Sequence, residues 1–162
     1  MKFNFFLFLL TALTAVASES QETLPNIIIQ SFVNHLFWAV DNTHDVVLDD
    51  QPIDWTIDPY KDGNFILPNR ISGKSVKYNG PKKPFTNEIN KNITLDQEWQ
   101  IEPVIPDGEE SPVYICSIHQ PDMCATQHFE SGRWTVVAFP KVFPKSGMPP
   151  HQWWLLHSEE EE

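Results

Sequence analysis

Two cysteines and two histidines lie close enough together in the chain to offer disulfide or metal chemistry. Cys116, His119, Cys124 and His128 follow one another over a short stretch, and the chain has no other cysteine. Their spacing could be written as a zinc site, but structural zinc usually uses tighter ligand spacing. In an exported chain an even pair of cysteines forms a disulfide. We therefore expect a Cys116–Cys124 disulfide that closes a short loop across a hairpin, and no metal.

The remaining reactive side chains form no known catalytic arrangement. The six histidines are scattered, and none has a recognisable nucleophile as a partner. The sequence contains no His-Glu-x-x-His, no Gly-x-Ser-x-Gly and no glycine-rich phosphate loop. The sequence therefore predicts a protein that is not an enzyme and that needs no cofactor.

The N-terminus has the pattern of a secretory signal peptide. Lys2 precedes an almost continuously apolar run over residues 3–13, and Ala15-Val16-Ala17 is a small-x-small cleavage site. The apolar run is shorter than the roughly 20 residues of a membrane span. We expect residues 1–17 to be removed, with cleavage near Ser18, and the protein to be secreted without a membrane anchor. Asn92 begins an Asn-Ile-Thr sequon that an exported protein can glycosylate.

The charge balance argues against polyanionic partners. The chain carries 22 acidic and 11 basic residues, for a net charge of −11. Nucleic-acid binding needs a basic surface to neutralise phosphates, so no nucleic-acid partner is expected. Four consecutive glutamates at residues 159–162 predict a solvated, disordered acidic tail. We expect one domain over residues 18–158, and a monomer.

Short β-rich runs separated by turn residues make up the mature chain. Fourteen prolines and several Gly/Asn/Asp clusters interrupt it too often for long helices. Many short strands at such spacing predict a barrel or a sandwich. The predicted runs are residues 26–33, 36–40, 46–48, 64–67, 99–105, 113–118 and 134–139.

A threefold repeat favours the barrel over the sandwich. Trp55, Trp99 and Trp154 are each followed two residues later by Ile or Leu. In a strand, residues i and i+2 face the same side, so each pair enters one core. One such unit cannot bury its apolar face alone, whereas three units around an axis can. The pattern predicts an all-β protein of the β-trefoil type with about 12 short strands.

The same residues resemble a known family. Residues 97–104 (QEWQIEPV), residues 134–137 and residues 152–156 (QWWLL) are similar to core segments of the fungal, mushroom-type β-trefoil serine-protease inhibitors. The resemblance covers most of residues 26–158. It implies a β-trefoil and inhibition of a secreted serine protease, although known members are often cytoplasmic. The Gln-x-Trp pattern is shared with ricin-B-like lectin repeats, which bind sugars on the same scaffold.

A protease inhibitor needs a rigid exposed loop that docks like a substrate. Residues 139–150 contain four prolines and two lysines, which predicts such a loop for a trypsin- or subtilisin-like enzyme. The candidate reactive bonds, in order of preference, are Lys145–Ser146, Lys141–Val142 and Arg70–Ile71.

Glycan binding is the alternative function. It needs an aromatic platform with adjacent polar side chains, for which Trp38 with Asp41 and Asn42, or Trp134, are candidates. The first repeat has Ile53 where the other two have Gln before the motif tryptophan. The predicted polar partners therefore do not recur in all three repeats.

Overall fold

The structure is a computed structural model that describes residues 22–71, 73–90, 94–106, 111–144 and 151–158. Several sequence predictions fall outside these residues, namely the signal peptide (1–17), Asn92, Lys145, Ser146 and the acidic tail (159–162). The described residues form twelve β-strands and one short 3-10 turn, Leu95–Gln97. The strands are β1 (Leu24–Ser31), β2 (Phe37–Val40), β3 (Val46–Asp49), β4 (Trp55–Tyr60), β5 (Gly63–Pro68), β6 (Lys74–Lys77), β7 (Thr86–Ile89), β8 (Trp99–Pro103), β9 (Val113–Ser117), β10 (Met123–Glu130), β11 (Arg133–Pro140) and β12 (Trp154–Ser158).

Six of the strands close into a barrel. β1 pairs with β4, β4 with β5, β5 with β8, β8 with β9, β9 with β12, and β12 returns to β1. All of these pairings are antiparallel. Closure removes the exposed strand edges that an open sheet would present.

The other six strands form three hairpins, β2–β3, β6–β7 and β10–β11. Each hairpin lies in the chain between two barrel strands that pair with each other. Strands β1 to β4, β5 to β8 and β9 to β12 are therefore three equivalent four-strand repeats. This is a β-trefoil, and the prediction of that fold with about twelve strands is confirmed.

Tight turns set the register of the hairpins. Ser131 and Gly132 both have positive φ, 54° and 80°, between the paired residues Glu130 and Arg133. That conformation matches the twist of a two-residue hairpin. Gly63, at the start of β5, has a different role. A Cβ there would lie 2.9 Å from Ile118 Cγ1 and 3.0 Å from the Trp99 carbonyl oxygen, so the close approach of β5 to β8 requires glycine.

The three motif tryptophans occupy equivalent positions in the core. Each begins the fourth strand of its repeat and is fully buried. Each indole Nε1 donates a hydrogen bond to a carbonyl of the second strand of the same repeat: Trp55 to Trp38 at 3.2 Å, Trp99 to Val76 at 2.9 Å and Trp154 to Ala125 at 3.0 Å. The tryptophans therefore join each hairpin to the barrel as well as filling the core.

Cys116 and Cys124 form the predicted disulfide. They lie directly opposite each other on β9 and β10, with Sγ atoms 2.03 Å apart. Because both thiols are consumed, the zinc alternative with His119 and His128 is wrong. The described part of the chain contains no cluster of His, Cys, Asp or Glu side chains that could hold a metal ion.

Candidate binding cleft

A cleft of about 660 Å³ opens on the third repeat. One wall is the β10–β11 hairpin. The other wall is formed by residues 142–144 and 151–153, which precede β12. Aromatic rings dominate its surface. The lining residues are Thr126, Gln127, His128, Phe129, Trp134, Phe139, Pro140, Val142, Phe143, Pro144, His151, Gln152 and Trp153.

Large apolar side chains stay exposed at this cleft. Phe129 and Phe143 are 55% and 67% exposed. Phe129 lies opposite Trp134 across the hairpin, with ring centroids 5.1 Å apart. Trp153 is held by an edge-on contact with Phe32 at 5.5 Å and by a hydrogen bond from its Nε1 to the hydroxyl of Tyr114. Contiguous exposed apolar surface of this kind is typical of a binding site.

Gln152 holds the two walls of the cleft together. Its side chain is almost fully buried, and its Nε2 donates to the Pro140 carbonyl at 2.9 Å and to the Thr126 hydroxyl at 3.0 Å. Its Oε1 accepts a hydrogen bond from the backbone N–H of Val142 at 2.7 Å. The Val142 carbonyl in turn accepts from the Tyr114 hydroxyl, also at 2.7 Å. The start of the proline-rich loop is therefore fixed to the barrel.

Gln97 is the equivalent residue in the second repeat. Its Nε2 donates to the Ser75 hydroxyl at 2.9 Å and to Asn90 Oδ1 at 3.1 Å, both next to the β6–β7 hairpin. Ile53, at this place in the first repeat, packs against the apolar core instead. The glutamine of each Gln-x-Trp motif thus connects a hairpin to the barrel through a buried side chain.

A chain of hydrogen bonds reaches the cleft from β1. The Ser31 hydroxyl donates to Gln127 Oε1, and Gln127 Nε2 lies 2.8 Å from His151 Nδ1. The backbone N–H of Gln127 also donates to the His151 carbonyl at 3.0 Å. His151 is therefore held at both its backbone and its ring, with the ring lining the cleft.

Of the three candidate reactive bonds, only the second and third can be placed. Lys141 ion-pairs with Glu102 at 2.7 Å, and its Nζ lies 4.7 Å from the centre of the Tyr114 ring. That arrangement turns the lysine back against the barrel and leaves the Lys141–Val142 bond poorly presented to an enzyme. Arg70, by contrast, is exposed in a turn closed by a hydrogen bond from the Ile71 N–H to the Pro68 carbonyl at 3.1 Å.

The residues predicted for glycan binding have different positions. Trp38 is fully buried against Trp55 and Trp154, so it cannot serve as a surface platform. The Asp41 carboxylate accepts hydrogen bonds from the backbone N–H groups of Thr43 and Asp45 in its own turn. Trp134, in contrast, does line the cleft.

Arg133 links the first and third repeats beside the cleft. Its two terminal nitrogens contact Asp41 at 2.5 Å and Asp45 at 2.8 Å. Partial burial opposes ionisation of Asp41, but hydrogen bonds from Thr43, from the Asp45 backbone and from Arg133 outweigh it and lower the pKa of the Asp41 carboxyl. The hydrogen bonds to Asp45 and Asp41 raise the pKa of Arg133.

Sequence reasoning missed His151, Gln127, Phe143 and Trp153 as cleft residues. The available signal was the density of aromatic residues in 139–154, which was interpreted as loop and core.

The described residues contain no helix with the length and apolarity needed to span a membrane.

Comparison with known proteins agrees with the fold. No family profile and no curated protein matches the sequence. Among solved structures, lysenin in complex with phosphocholine has a TM-score of 0.64 at 12% identity, over 85% of this chain and 45% of that one. SeviL bound to the asialo-GM1 saccharide has a TM-score of 0.59 at 12% identity, over 85% of this chain and 99% of that one.

A third similar structure is the GlcNAcα1-4Gal-releasing endo-β-galactosidase from Clostridium perfringens, with a TM-score of 0.61 at 13% identity over 82% of this chain. The present chain spans only 32% of that enzyme, and less than half of lysenin. At 12–13% identity these similarities show the fold alone.

Proposed function

We propose that this protein is a carbohydrate-binding β-trefoil protein and that its sugar site is the cleft of the third repeat. The observation that carries the proposal is the combination of exposed aromatic rings with fixed polar side chains in one concave surface. A sugar ring has an apolar C–H face that stacks on an aromatic ring and hydroxyl groups that need hydrogen-bond partners. Ligand sites commonly combine apolar walls with a few positioned polar groups in this way.

The similar structures support the same function. The SeviL structure holds the saccharide of asialo-GM1, and the lysenin structure holds phosphocholine. A binding protein is also the better description of this cleft because no serine, cysteine or carboxylate lines it within the described residues.

The test is a glycan array probed with the mature protein and with matched variants. Phe143→Ala and Phe129→Ala each remove an exposed ring from the cleft, and both are expected to reduce sugar binding at least tenfold. Leu95→Ala and Ile105→Ala are the controls, because both side chains are similarly exposed and lie outside the cleft. Equal binding by the cleft variants and the controls would refute the assignment of the site.

We further propose that the protein is exported. The support is the N-terminal pattern of Lys2, an apolar run and a small-x-small site. N-terminal sequencing of protein from culture medium is expected to start near Ser18. Secreted material that still begins at Met1 would contradict this.

Protease inhibition is the second candidate function, favoured by the exposed position of Arg70 in a short turn. An arginine held this way can enter the acidic pocket of a trypsin-like enzyme. Titrating trypsin, chymotrypsin and subtilisin with the mature protein tests it directly.

A further inference from the structure

The hydrogen-bond chain behind the cleft fixes the proton positions on His151. Ser31 Oγ already accepts from the backbone N–H groups of Val33 and Asn34, at 3.3 and 3.4 Å. Its own proton is therefore directed to Gln127, whose oxygen must face it. The amide nitrogen of Gln127 then points to His151 Nδ1 and donates to it.

The consequence for His151 is a single tautomer. A nitrogen that accepts a hydrogen bond carries no proton, so in the neutral ring the proton sits on Nε2. Nδ1 is occupied by Gln127, and no described residue bonds to Nε2. The imidazole thus offers one hydrogen-bond donor, on a residue that lines the cleft.

We propose that His151 is a specificity-determining residue of the cleft, which donates its Nε2 proton to a sugar oxygen. The inference rests on the proposed carbohydrate-binding function and specifies one polar contact of that site. The aromatic rings Trp153, Phe143 and Phe129 supply the stacking surface, and His151 supplies an oriented donor.

The first experiment reads the tautomer without any ligand. A long-range ¹H–¹⁵N correlation spectrum of the labelled mature protein is expected to show His151 as the Nε2–H form. Its assignment is made by comparison with His151→Phe. A Nδ1–H form would overturn the proposal, whatever the array shows.

The second experiment repeats the glycan array with a His151 variant. His151→Phe keeps a ring but removes the donor, so it should weaken binding of the glycan about tenfold. His119→Phe, at an exposed histidine outside the cleft, is the matched control and should bind as the wild type does.

The outcomes separate the two proposals. A sugar that binds in a Phe143-dependent manner but is unaffected by His151→Phe refutes the role of His151 and leaves the carbohydrate site standing. If the protein binds no glycan on the array, both the carbohydrate site and the role of His151 are refuted.

Discussion

Removing one motif tryptophan tests the threefold architecture most directly. Trp99 is fully buried, its ring packs 4.7 Å from that of Phe85, and its Nε1 donates to the Val76 carbonyl at 2.9 Å. Trp99→Ala loses both the packing and the hydrogen bond, and it is expected to reduce the free energy of unfolding by about 3–5 kcal/mol. Trp99→Phe keeps most of the packing but leaves the buried carbonyl unpaired, which costs about 1–3 kcal/mol.

The assay is urea unfolding followed by tryptophan fluorescence and circular dichroism, with thermal unfolding as a second measurement. For a domain of this size about 1 kcal/mol corresponds to roughly 3–4 °C in Tm, so the Ala variant should lose about 9–20 °C. Trp55→Phe and Trp154→Phe should match Trp99→Phe, because all three indoles make the same bond. Phe143→Ala, on an exposed ring, is the control and should change stability by less than about 0.5 kcal/mol. An unchanged Tm for Trp99→Ala would refute the core assignment.

Three further predictions concern the disulfide, a carboxyl group and the candidate reactive bonds. Reducing Cys116–Cys124 should lower the free energy of unfolding by about 2–3 kcal/mol, as measured by urea unfolding with and without reductant, since the closed loop is short. The pKa of Asp41 is lowered in the folded state, so its contribution to stability is present above the ordinary carboxyl pKa and is lost as the pH falls through the lowered value. Asp41→Asn should therefore flatten the acid side of a plot of Tm against pH, and an unchanged curve would contradict this. Arg70→Ala and Lys145→Ala are each expected to leave Tm unchanged. If trypsin is inhibited, the variant that weakens inhibition at least tenfold identifies the reactive bond.

The barrel was predictable because its signal is local and repeated. Trp55, Trp99 and Trp154 each carry a branched aliphatic residue two positions later, and this pattern needs only the period of a strand. The strands β6 and β7 were missed because they are four residues long and rich in Lys, Ser, Asn and Glu, so their sequences resemble loops. Their strand conformation depends on pairing with each other and on the apolar core behind Val76.

The cleft was not predictable, since its parts meet only through long-range contacts. Trp38 is followed by the polar residues that a sugar platform needs, but its ring packs against Trp55 and Trp154 in the core. His151 becomes informative only when Gln127 and Ser31 are placed behind it. No spacing along the chain encodes that alignment.

The two Gln-x-Trp glutamines allow structural and functional roles to be separated. Gln97 and Gln152 are equally buried and make equivalent bonds from Nε2 to their hairpins. Only Gln152 also holds the backbone of Val142, at the edge of the cleft, through its Oε1. Ile53 occupies the equivalent place in the first repeat, which shows that an apolar side chain fits there.

Gln97→Ile and Gln152→Ile should consequently have similar effects on stability and different effects on binding. Each leaves buried hydrogen-bonding groups unpaired and is expected to cost about 1–3 kcal/mol, measured by urea unfolding. Sugar binding should fall only for Gln152→Ile. Only this variant removes the hydrogen bond that fixes Val142 and so positions the neighbouring Phe143 at the cleft. If Gln97→Ile reduced binding as much as Gln152→Ile, the effect would reflect general destabilisation. Binding would then not depend on the anchored Val142, in the aromatic, proline-rich connection between β11 and β12 by which the third repeat departs from threefold symmetry.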